Sequence, residues 1–334
     1  MATESRHGES VTVGRSAGAF GWTDRLTETQ FAYLLLTPMI LLLGIVALWP
    51  LWRTFVISLQ ADALTGASQI GSFVGLDNYV AILTGERAAI LPRPFWPEVT
   101  ATFPFVQVNS LFTTALAATL IFVFVSVFFE TIIGFAQALV LDQEFAGRRW
   151  VRVAIILPWA IPIVIQGMIF FLLFQPNIGF ATDWLSSLGL LSETPLSTPS
   201  NVMAIIIVAD IWKTSAFMAL LILAGLQSID RSLYNVARVS GASAVQRFKM
   251  ITLPLVLPTV LVAVLFRTVR AMRVFGLIET VSSCTTVPSL SCLVVSTWSS
   301  RLYGSSAAIA FITAVIVAAG VSIYIVKYGQ QEVA

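Results

Sequence analysis

The chain has 334 residues, 57% of them hydrophobic and only 11% charged, with a mean hydropathy of +0.88. Soluble domains carry roughly twice that charge fraction, so the composition excludes an ordinary soluble protein and points to an integral membrane protein. The net charge of +2 argues against nucleic acid as a partner. One histidine (His7) and two cysteines (Cys284, Cys292) are too few for a Cys/His metal site, so no metal is expected. None of the three lysines follows a glycine, which excludes a phosphate-cradling loop; any ATP and Mg must be bound by other subunits.

Residues 1–30 are polar and read as a cytosolic tail ahead of a retained helix, because no short apolar core precedes a cleavage site. About six runs are long enough to cross a bilayer: 31–59, 112–141, 153–174, 201–226, 255–280 and 304–326. Pro38 and Pro50 mark the first, and Pro158 and Pro162 the third, as kinked spans. The longest connection, about 60–111, reads from its prolines and aromatics as a packed outer cap with short helices. The expected fold is therefore all-α, with a membrane domain over 31–326 and a cytosolic tail over 327–334.

Orientation follows from the loop cations. With the N-terminus inside, the inner segments hold Arg6, Arg15, Arg25, Arg148, Arg149, Arg152, Arg231, Arg238, Arg247, Lys249 and Lys327. The outer loops hold only Arg87, Arg93 and Arg301. Both termini are then cytosolic, in a multi-pass protein of the cell membrane.

Between the fourth and fifth spans lies "YNVARVSGASAVQRFKMITLPLVLP" (234–258), within a polar, basic segment over 227–253. At helical spacing Leu233, Val236 and Ala237 share a face, Gly241 breaks the pattern, and Val245, Phe248 and Ile251 form a second stripe. Pro254 is expected to begin the next membrane helix. Two short amphipathic helices around a small-residue elbow suit either a groove in a partner or an interfacial position on lipid headgroups.

Ionisable groups inside spans face protein or water. A rise of ~1.5 Å per residue places Asp210 roughly 14 Å inward and Arg267 about 12 Å from the outer edge, so the two are expected to pair or to share a watery site. Arg267, Arg270 and Arg273 lie three apart on one broad face. With Trp212, Lys213 and Phe275 they read as a hydroxyl-binding wall of a solute path; the competing reading has Arg270 and Arg273 snorkelling to the interface. Glu130 is expected to be a structural partner of a cytosolic arginine. Cys284 and Cys292, eight apart in the last outer loop, are a candidate disulfide that spacing alone does not establish.

The 234–258 stretch resembles the coupling loop, or EAA loop, of ABC importer permeases, through Ala237, Gly241, Ala242, Phe248, Leu253, Pro254 and Pro258. Asn235 and Val236 stand where the family usually has Glu and Ala, and Ser240 where it usually has Asp. "FVGLDNY" (73–79), "GRRWVRVAIILPWAIP" (147–162), "DIWKTSAFMALLILAGLQSI" (210–229) and "FRTVRAMRVFGLIETV" (266–281) are similar to carbohydrate importers of the maltose/trehalose type. The family's Gly-rich turn after the fifth span is replaced by "SSCTTVPSLSC". The resemblance implies a transport subunit rather than an enzyme, working by alternating access. It implies a second permease, two cytosolic ATPases binding ATP and Mg, an external solute-binding protein and a sugar substrate. Leu233, Asn235, Val236, Ala237, Arg238, Ser240, Gly241, Ala242 and Phe248 would couple to the ATPases. The alternative is a self-contained secondary transporter or channel, which would have no use for a docking hairpin. A membrane enzyme lacks a nucleophile–base pair within the spans.

Overall fold

Prolines, glycines, capping residues and contacts from distant segments decide where the apolar runs become helices and where those helices break. The computed structural model describes residues 27–63, 70–97 and 107–328, in two units divided between Thr54 and Phe55. The readings for residues 1–26 and 329–334 lie outside the described residues.

In the first unit a reciprocal cap between Thr27 and Gln30 starts α1 (Glu28–Leu43). Pro38 lies within it, and the helix passes through one π-turn (Gly44–Leu48) into α2 (Trp49–Ser58), whose last turn belongs to the second unit.

The second unit opens with a feature the sequence reading lacks. The outer connection contains an antiparallel hairpin, β1 (Gln60–Asp62) with β2 (Ile70–Phe73), beside the expected short helices α3 (Asp77–Leu83) and α4 (Val108–Thr113). Asn78 donates to the Ser58 and Gln60 carbonyls, both at 2.8 Å. Asp62 accepts from the Ser305 amide (3.0 Å) and hydroxyl (2.5 Å) and is ion-paired with Arg87. Ser305 lies in the first turn of α15 (Tyr303–Tyr328), so Asp62 caps the last span from 243 residues away.

The centre is α5 (Ala115–Asp142) packed along α9 (Pro199–Gln227), the most extensive helix pair. The buried stripe of α5 is rich in small residues, among them Ala115, Ala118, Ser126, Gly134 and Ala138, which let helix backbones approach closely in a membrane. A Cβ on Gly134 would lie 2.5 Å from Met218 Cβ and 2.9 Å from the Ser215 carbonyl oxygen. Gly134→Val is expected to lower stability by about 1–3 kcal/mol through overpacking. Gly320→Ala, where an added Cβ meets nothing within 4 Å, should cause no loss. Melting of both purified variants in the same detergent checks the contrast.

Two expected spans are corrected. The run 153–174 is not one kinked helix but α6 (Arg148–Ala160) and α7 (Ile163–Phe174), bent by 94°. Pro162 forces Ile161 into an extended conformation (φ −71°, ψ 131°) and ends α6 there. The run 255–280 is not one helix either. α12 (Leu253–Ala271) stops, and α13 (Gly276–Val281) follows and packs on α7. Residues 259–275 hold no glycine or proline to mark this stop; the Ser289 hydroxyl donates to the freed Val274 carbonyl at 2.6 Å, a contact invisible to local sequence. The short helices α8 (Phe180–Ser187) and α14 (Leu290–Ser299) complete the outer connections. Among the described residues, five helices are long and apolar enough to cross a membrane, six if the bent pair is one span.

Candidate functional site

Two apolar clusters divide the second unit. One includes Phe122, Val127, Ala209 and Ala271; the other includes Ala138, Met218, Val260 and Ala263. Between them, on the three helices that both clusters share, sit Glu130 of α5, Asp210 of α9 and Arg267 of α12. Arg267 donates through Nε to Glu130 Oε2 at 2.5 Å and through Nη2 to Glu130 Oε1 at 2.9 Å, and it is also ion-paired with Asp210. The Arg267 side chain is 5% exposed and Glu130 fully buried, whereas Asp210 is 15% exposed and accepts from Thr214 at 3.2 Å.

The structure thus brings Asp210 and Arg267 together and adds Glu130, which is no partner of a cytosolic arginine. A signal for this was available. Glu130 lies 12 residues from Asp142 and Arg267 lies 12 from Leu255, roughly 18 Å from the same membrane face in each case.

Lys213 and Gln166 fasten the broken helix to α9. Lys213 Nζ donates to the Ile161 carbonyl at 2.6 Å, satisfying the group freed by the Pro162 break, and Gln166 Nε2 donates to the Ala209 carbonyl at 2.6 Å. Trp212, 39% exposed, lies against Phe170 with ring centres 5.8 Å apart. Arg270 is exposed, its guanidinium 5.7 Å from the Phe217 ring centre, and Trp159 stacks on the same ring. Sequence reasoning missed Phe217, Trp159 and Gln166; nothing distinguishes the two aromatics from lipid-facing residues of an apolar run, whereas Gln166, an amide within such a run, carried a readable signal of a protein-facing position. Arg273 is exposed beyond the end of α12, and Phe275 packs at the edge of the first apolar cluster, so these two do not join Lys213. Cys284 and Cys292 are disulfide-bonded, Cα atoms 5.4 Å apart. A cavity of about 1010 Å³ between α5, α12 and α15 is lined almost wholly by apolar side chains, such as Phe124, Phe128 and Val317, and offers a polar solute few partners.

The second candidate region is the hairpin. α10 (Arg231–Val239) starts at Asp230, whose side chain accepts from the Ser232 amide at 2.8 Å; that backbone hydrogen bond holds the Asp230 carboxyl below its usual value. Arg231 donates to Asp142 at 2.6 Å, and this bond raises its already high pKa. The helix ends in a doubly bonded cap: Gly241 N–H donates to the Arg238 carbonyl (3.1 Å) and Ala242 N–H to the Ala237 carbonyl (2.9 Å). Gly241 has φ +82°, the left-handed region that favours glycine. Ser243 and Gln246 then form a reciprocal cap on α11 (Ala244–Arg247).

Here the structure departs from the expected second short helix. α11 runs through a π-turn (Phe248–Thr252) directly into α12, so Pro254 lies inside a continuous helix rather than at its start. Phe248 packs edge-on against Phe135 of α5 (5.8 Å), while Tyr234 and Ala237 turn inward, Tyr234 reaching Thr252 at 3.0 Å. Leu233, Asn235, Val236, Arg238, Ser240 and Gly241 are exposed, and Ala242 is half-buried.

Known proteins resolve what such a hairpin belongs to. The sequence model of the family described as binding-protein-dependent transport system inner membrane component matches residues 130–331. The chain belongs to that family. It is accordingly a multi-pass permease subunit of an ABC importer in the cell membrane, not an enzyme. The chain is 35% identical over 303 residues to the trehalose/maltose transport system permease of Thermococcus litoralis, covering 89% of this chain and 93% of that one. It is 34% identical over 256 residues to the sulfoquinovosyl glycerol permease of Agrobacterium fabrum, covering 77% and 75%. The crystal structure of a bacterial ABC transporter involved in the import of the acidic polysaccharide alginate shares this permease fold, with a TM-score of 0.71 at 23% identity over 92% of this chain and 98% of that one.

Proposed function

We propose that this permease imports a sugar handed over by an external solute-binding protein. It does so with a second permease and two cytosolic ATPases that bind ATP and Mg. The observation that carries the reading is the capped α10–α11 elbow, continuous with α12. A knuckle joined to a spanning helix without a loop moves that helix when it moves. ATP must stabilise one conformer of the assembly more than the other for transport to occur, and the elbow would link the two equilibria. Leu233, Asn235, Val236, Ala237, Arg238, Ser240, Gly241, Ala242 and Phe248 form or brace it. The names of the relatives support a sugar or sugar-like solute.

Asp210 and Arg267 tie spanning helices together, while exposed Trp212 and Arg270, with Lys213 behind them, would face the solute path. Aromatic faces and charged donors suit hydroxyls that have lost water. The test is the reconstituted four-subunit importer with its binding protein, assayed for ATP hydrolysis against trehalose, maltose, sulfoquinovosyl glycerol and glycerol phosphate. One sugar should stimulate hydrolysis, and only with the binding protein present. Uptake by this chain alone in vesicles, or no response to any sugar, would overturn the proposal.

A further inference from the structure

The outward ridge of α10 is neutral and partly apolar. Tyr234 and Ala237 set its inward side, so Ser232, Asn235, Val236 and Val239 point away, with Val236 67% and Val239 91% exposed. Acidic groups (Asp230, Asp142 and Glu144) gather at the Arg231 end of α10, and beyond that end the charges of the knuckle are of one sign. From Arg231 to Met250 the chain carries Arg231, Arg238, Arg247 and Lys249 and no aspartate or glutamate. Arg231 is taken up by Asp142. Arg238, exposed in the last turn of α10 on the same flank, has no carboxylate partner among the described residues. Asn235 and Ser240 add no negative charge near it.

We infer that the ATPase subunit receiving this knuckle presents an apolar-floored groove with carboxylates on the flank that meets Arg238. The inference rests on the docking role proposed above and specifies the surface that fulfils it. Complementary charge at an interface rim sets association rate, register and choice of partner. An anionic lipid surface is the other chemistry that cations attract. Helices that lie on lipid present several Trp, Phe or Leu to it; α10 exposes one such residue, Leu233, while its one aromatic, Tyr234, is turned inward to Thr252, and the ridge mixes valines with Ser232 and Asn235.

The experiment titrates the ATPase onto the complete permease pair in nanodiscs of neutral or anionic lipid, at low and high salt. The variants are Arg238→Glu, Arg238→Lys and Val239→Asp. In neutral lipid, Arg238→Glu should weaken assembly on the order of tenfold and flatten its salt dependence, with Arg238→Lys near wild type. If Val239→Asp disrupts assembly while Arg238→Glu leaves affinity and salt dependence unchanged, docking stands and the acidic flank is wrong. If neither substitution matters, the docking role itself fails. An Arg238→Glu effect confined to anionic discs assigns the cation to lipid and overturns the inference.

Discussion

Arg267→Met is expected to be among the most damaging single substitutions in the chain. It removes the guanidinium that joins α5, α9 and α12 and leaves Glu130, fully buried, facing Asp210 with no cation between them. Breaking a buried ion pair from one side costs roughly 3–5 kcal/mol, because the remaining charge stays desolvated. Little of that loss is screened, since the Arg267 side chain is only 5% exposed. The purified protein should therefore melt well below wild type and yield poorly in membranes. The triple variant Glu130→Gln, Asp210→Asn, Arg267→Met should recover most of the loss, since a neutral buried cluster is often no less stable than a charged one. Wild-type melting of the single variant would show that the cluster does not hold the helices together. A triple variant no more stable than the single one would show that packing volume, not charge, is at stake.

The second large effect concerns the elbow and separates function from folding. Gly241 has φ +82°, and an added Cβ would meet nothing within 4 Å in this chain. The constraint is therefore on the backbone, not on space. A β-branched residue there pays about 1–3 kcal/mol in strain or opens the turn, losing the two hydrogen bonds from Gly241 and Ala242 that close α10. Gly241→Val should insert normally and keep the melting of the membrane helices, yet lose most transport-linked ATP hydrolysis. Gly241→Asn should retain more, because asparagine enters the left-handed region more readily. Equal loss in both variants would point to a clash with a partner subunit. Full activity in Gly241→Val would count against any mechanical role for the elbow.

Much of the fold was legible because a membrane imposes simple rules. Runs such as 112–141, 201–226 and 304–326 read as helices from hydropathy, and α5, α9 and α15 match them to within a few residues. Where the reading overran, the cause was non-local. The backbone freed after Ala271 is met by Ser289, 15 residues on from Val274, and Gln60–Asp62 finds its strand partner in the separate segment Ile70–Phe73. At the break near Ile161 the prolines were visible, but the 94° angle between α6 and α7 was not. The elbow was legible in another way: Gly241, Ser243 and Gln246 are turn and cap residues whose conformations are set by their neighbours.

Composition and local pattern were enough to establish a multi-span helical membrane protein with a basic knuckle, because bilayer thickness, helix caps and loop charge act over a few residues to a few turns. Which charges meet was settled only in three dimensions. Glu130 and Arg267 are 137 residues apart, and each could have found another partner. Close packing of α5 on α9 at Gly134, with α12 lying against both, places the two carboxylates on either side of one guanidinium. Burial there leaves an ionised group no solvent to turn to, so its nearest opposite charge becomes its partner.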